Sequence, residues 1–92
     1  MLFRSRAHQP TVFQELLNKM EDMECALSNN NIMSLEKCAK VVKDLFNQLE
    51  ADELKSTAFR IELSARRGNL EEVVRYSLQL QREFIVFKKS FN

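Results

Sequence analysis

The sequence predicts an all-α fold, an antiparallel four-helix bundle, and three observations carry that prediction. Apolar residues recur at helical spacing in four successive stretches. The chain holds one glycine and one proline, so strands and hairpins lack the turn residues they need. The breaks between the stretches are short, which forces neighbouring helices to reverse so that each apolar stripe meets a facing partner. A chain of 92 residues makes one domain, and at this size only about 60–65% of the unfolded chain's surface is buried, so the core must be continuous.

Residues 1–10 read as an irregular leader ending at Pro10, and residues 11–92 as the single bundle domain. Thr11 stands where a cap would satisfy the first free N–H groups of the first helix. Phe13, Leu16, Leu17, Met20, Met23 and Leu27 then form one stripe. Ser28 and the run Asn29, Asn30 and Asn31 end it, because these side chains compete for backbone hydrogen bonds. The second helix carries Leu35, Cys38, Ala39, Val42, Leu45, Phe46 and Leu49 on one side. At about 100° per residue, Glu36, Lys40, Lys43, Asp44 and Asn47 share the opposite face.

A break near residues 50–52 is expected, since the phase of Leu54, Ala58, Ile61 and Ala65 does not continue smoothly from Leu49. Gly68, after Arg66 and Arg67, fits the left-handed residue that ends the third helix, with two cations near the negative end of its dipole. Asn69 can cap the fourth helix, and Glu72 three residues on completes a variant of the capping box. That helix places Leu70, Val73, Ser77, Leu80, Phe84, Phe87 and Phe91 at alternating spacings of three and four. Such a row could seed a coiled-coil dimer, but it is equally expected of one helix in a bundle, and a monomer is the simpler expectation.

Composition removes several classes of function. Fourteen Lys and Arg against thirteen Asp and Glu give a net charge of +1, with no field to favour nucleic acid or anionic lipid. No apolar run is long enough for a membrane span, and the N-terminal residues lack the apolar stretch of a secretory signal. Cys25 and Cys38 are too few for a disulfide framework and have no clustered histidines, so two free thiols, no metal, no cofactor and a cytoplasmic setting are expected. There is no glycine-rich phosphate loop and no nucleophile with a histidine partner, so the chain does not read as an enzyme.

Two stretches, one in residues 39–44 and one in residues 65–84, form a pattern. The turn Gly68, Asn69, Leu70 and Glu71, preceded by Ala65 and Arg66 and followed by a helix with Leu80 and Phe84, resembles the link between the last two helices of histidine phosphotransfer (HPt) domains. Counting back without a gap from Ala51, Asp52, Glu53 and Leu54, the family signature of alanine, histidine, any residue, leucine, lysine and glycine falls on Ala39 to Asp44. Ala39, Val42 and Lys43 fit. Lys40 stands in place of the phosphoryl-accepting histidine, and Asp44 in place of the glycine that admits the receiver's backbone.

The resemblance implies a bundle that docks on a response-regulator receiver domain or a sensor kinase through Glu36, Lys40, Lys43, Asp44 and Asn47, and modulates a phosphorelay without carrying phosphate. Lys43 would still neutralise phosphoryl oxygens. Lys40 would not accept them, because an ammonium at neutral pH has no free lone pair. His8, the only histidine, lies in the leader and reads as a surface side chain.

The alternative is a small helical adaptor or chaperone that binds another protein through an apolar groove. Leu2, Phe3, Phe59, Leu63, Leu78, Ile85 and Val86 lie off the four stripes and are its candidates.

Overall fold

Four helices, α1 (Leu2–Ser28), α2 (Ile32–Gln48), α3 (Asp52–Arg66) and α4 (Leu70–Phe91), follow one another through three-residue turns in a computed structural model. The structure describes residues 2–91, with side chains described for 12–90. Consecutive helices pack against each other, and the assembly extends 45 × 21 × 18 Å. The helices therefore run up and down in an antiparallel bundle, with no strand among the described residues.

The main difference from expectation is at the start. The stretch expected to be an irregular leader, with a cap at Thr11, is carried in α1 from Leu2 onward. Leu2, Arg4, Arg6, Ala7 and Gln9 are good helix formers without an intervening glycine, and their summed preference opposes the one donor lost at Pro10. The side chains of His8, Thr11, Leu2 and Phe3 lie outside the described residues, as does that of Phe91.

All three turns use one device. The residue after the helix's last turn adopts a left-handed conformation, Asn30 at φ 53°, Glu50 at φ 57° and Gly68 at φ 72°. The next N–H then reaches back to the helix, Asn31 to the Ala26 carbonyl at 2.8 Å, Ala51 to Phe46 at 2.9 Å and Asn69 to Ser64 at 2.9 Å. These are Schellman closures, and they satisfy carbonyls that the helix end would leave unpaired. The same next residue caps the following helix. Asn31 Oδ1 accepts from the Ser34 N–H at 3.1 Å, and Asn69 Oδ1 from the Glu72 N–H at 3.1 Å, whereas Ala51 supplies no side-chain bond. The expected break at residues 50–52 and the stop at Gly68 are both present. Glu72 departs from the capping-box pattern, since its carboxylate accepts from Ser64 Oγ at 3.0 Å and Arg67 at 3.4 Å.

The core joins the four stripes. Leu16, Leu35, Ala39, Val42, Phe46, Ala58, Ile61, Val73 and Leu80 are fully enclosed. An aromatic cluster closes one end, where Phe46 meets Phe84 at 6.1 Å and Phe87 at 6.3 Å edge to face, and Phe13 meets Phe84 at 6.3 Å. Such edge contacts add about 0.5–1.5 kcal/mol each beyond burial. Polar pairs fix the register of α4 on α3: Thr57 Oγ1 donates to Glu83 Oε1 at 2.8 Å, and Arg60 lies 5.8 Å from the Tyr76 ring centre.

Candidate functional site

Two surfaces compete for a functional role, and the outer face of α2 is the one the sequence singles out. Lys40, Asp44 and Asn47 are exposed on it, while Glu36 and Lys43 are half-buried at the seam with α3. The angular grouping of the five residues holds, but the seam commits three of them. Lys43 Nζ lies 2.9 Å from Glu62 Oε1 and 5.0 Å from the Phe59 ring centre. Glu36 Oε2 is 3.2 Å from Arg66 Nε, and Asn47 Oδ1 accepts from Lys55 Nζ at 2.9 Å. Lys40 and Asp44, with Lys37 beside them, present charges to solvent that are engaged in no ion pair among the described residues.

The sequence reading missed Glu62. Its side chain is buried, with 3% of the residue exposed, and accepts from Lys43 on one oxygen and from Arg66 on the other at 2.8 Å. Removing a carboxylate from water is costly unless two or more donors meet it, and here both oxygens are met. The signal was available in the spacing. Glu62 lies four residues after Ala58 and three before Ala65, at the edge of the arc that the apolar stripe of α3 occupies.

The second surface is the flank of α4 beside α1. Val74, Leu78 and Ile85 follow one strip of the helix at spacings of four and seven, and Leu78 is 46% and Ile85 51% exposed. The strip runs into a cleft of about 460 Å³ between α1 and α4, floored by Leu17, Met20 and Phe84. Gln81 bridges that cleft to Glu24 at 3.2 Å. Of the residues expected to lie off the stripes, Phe59, Leu78, Ile85 and Val86 are exposed and Leu63 is half-buried. Val74 joins them as an addition.

The thiols are free. Cys25 is exposed on α1, off its apolar stripe. Cys38 is half-buried in the α1/α2 seam, where burial, reinforced by the carboxylate of Asp22 and partly offset by Lys19, pushes its thiol above the ordinary value. Neither sits in an electropositive pocket of the kind that makes a reactive thiolate. Among the described residues no group of His, Cys, Asp and Glu is arranged to hold a metal ion, and no helix is long and apolar enough to cross a membrane.

No protein-family model matches the chain, and comparisons with curated proteins and with solved structures also find no match.

Proposed function

We propose that this protein is a non-enzymatic helical module that binds another protein along the flank of α4. One observation carries the reading: an unpartnered apolar strip of Val74, Leu78 and Ile85 continues into a cleft with an apolar floor. Single exposed apolar residues are ordinary on a protein surface, whereas a row aligned with a groove is the geometry that receives an amphipathic helix. The two unpaired thiols support a reducing, cytoplasmic setting.

A second reading keeps the outer face of α2 as a docking surface for a receiver domain or sensor kinase. It is favoured by the exposure of Lys40 beside Asp44, at the positions where the HPt resemblance puts its departures. It is weakened by Lys43, whose ammonium is held by Glu62 and would have to leave a buried carboxylate to meet a phosphoryl group.

A photo-cross-linking amino acid placed at residue 78, and separately at residue 40, separates the two in cells that make the protein. The α4 reading expects a protein adduct from position 78 and none from 40. The reverse pattern supports receiver docking, and silence at both positions removes both readings.

A further inference from the structure

We propose that the partner on the flank of α4 is a second copy of this chain, which seats its own α4 strip over the α1/α4 cleft about a two-fold axis parallel to the helices. This rests on the protein-binding reading above and names its partner.

The α1 wall of the cleft carries Glu21 and Glu24. The α4 wall carries its own cation, Lys88, over the Phe84 ring at 5.2 Å, so a helix that fills the cleft needs an apolar row with cations along the flank that meets α1. α4 is such a helix: next to Leu78 and Ile85, on its solvent side, stand Arg82 and Lys89, both exposed and in no ion pair among the described residues.

Groove and ligand lie side by side on one molecule. A rotation about an axis parallel to the helices places each α4 over the other copy's α1 and satisfies both grooves together, the self-complementary arrangement that a two-fold requires. The rotation also preserves height along the bundle. Gln81 is hydrogen-bonded to Glu24 within each chain at 3.2 Å, so Arg82 of the second copy arrives level with Glu24, and Lys89 arrives about two turns further along, roughly one turn beyond Glu21, which its long side chain reaches back to meet.

The other two-fold, with its axis across the helices, lays α4 over α4. It brings Arg82 of one copy opposite Leu78 of the other and Glu71 opposite Lys89, but it leaves the Leu17 and Met20 floor of the cleft uncovered and Glu21 and Glu24 without a cation from the second copy. Covering the apolar floor of the cleft selects the first arrangement, and it revises the expectation of a monomer.

Sedimentation equilibrium on the full chain, from micromolar to about 1 mM, tests the proposal. A dimer is expected. Ile85→Asp is expected to be monomeric with unchanged helical circular dichroism. Glu21→Lys/Glu24→Lys and Arg82→Glu/Lys89→Glu should each weaken dimerisation roughly tenfold or more, since the two-fold repeats every lost pair.

Mixing these two charge-reversed proteins should restore a dimer, because each groove then meets an α4 of opposite sign. A native chain that stays monomeric up to about 1 mM overturns the proposal, as does a dimer indifferent to Ile85→Asp or a mixture that fails to recover. If the chain is monomeric while position 78 still cross-links to a different protein, only the second copy is lost. If a dimer forms but position 78 yields no adduct, both the α4 reading and this one are lost.

Discussion

Lys43 Nζ and Glu62 Oε1 lie 2.9 Å apart across the α2/α3 seam, with the carboxylate almost wholly buried and the ammonium at its solvent edge. The contact continues outward through Arg66, which binds the other Glu62 oxygen at 2.8 Å and Glu36 at 3.2 Å. Two cations and two anions thus balance in one chain. The network explains why Glu36 and Lys43, grouped with Lys40 by helical angle on α2, are half-buried: the residues nearest α3 are part of the packing.

Lys43→Met should destabilise the bundle by about 1–3 kcal/mol. Removing one partner of a buried pair leaves an uncompensated charge that costs about 3–5 kcal/mol, and Arg66 remains to offset part of it here. Replacing both partners, Lys43→Met with Glu62→Leu, should recover most of the loss, because apolar side chains of similar volume need no solvation. Urea unfolding of both variants checks this. A double variant less stable than Lys43→Met alone would show that the pair contributes net stability.

Glu50 and Gly68 occupy equivalent left-handed positions, at φ 57° and φ 72°, and they predict opposite outcomes. Glu50→Gly should stabilise the protein by about 0.5–1 kcal/mol, because a non-glycine residue in this region is strained by roughly 1 kcal/mol while glycine loses more chain entropy on folding. Gly68→Ala should destabilise it by about 1 kcal/mol, although no atom lies within 4 Å of the added methyl. The cost is in the backbone alone. Thermal melts of the two variants should shift in opposite directions.

These turns show what the residues disclosed about the fold. Gly68 announces its conformation, since glycine is the residue that enters the left-handed region without penalty. Asn30 hides within a run of three asparagines, and Glu50 gives no chemical signal at all. The break at residues 50–52 was visible only as a lost apolar phase. The stripes were legible because Leu35, Ala39, Val42 and Phe46 bury at helical spacing, as Leu54, Ala58 and Ile61 do. For the candidate site, periodicity placed Lys40 and Asp44 on the surface. It could not show that Lys43 would meet Glu62, 19 residues away, because helix spacing describes one helix and not the seam between two.

The two thiols should differ in accessibility to a reagent. Cys25 is exposed and should react with an aromatic disulfide reagent before Cys38, which is half-buried. The pKa of Cys38 is raised, chiefly by burial, so its labelling should climb only at pH values above those that ionise a free thiol, about 8.5. The same shift has a stability consequence of fixed sign. Above about pH 8.5 the unfolded chain loses its thiol proton first, so the Cys38 contribution is fully present below that pH and declines as pH rises toward the folded value. Cys38→Ala should flatten this alkaline decline in a pH series of unfolding free energies.

Ser77 is the buried polar side chain on α4 whose Oγ finds no hydrogen-bond partner. It occupies the stripe between Val73 and Leu80, where the helix offers the core an apolar face. Enclosing a hydroxyl without a partner costs about 1–3 kcal/mol, and the sequence position alone would have suggested an ordinary core contact. Ser77→Ala removes the hydroxyl, leaves almost no cavity and raises helix propensity, so it should stabilise the protein by about 1 kcal/mol or more. Ser77→Val should gain less, because its second methyl must fit a space sized for serine between fully enclosed neighbours. Chemical denaturation of the two variants gives the ranking. If Ser77→Ala proves destabilising, the hydroxyl has a partner in solution, and a bound water within the core becomes the explanation to test by structure determination.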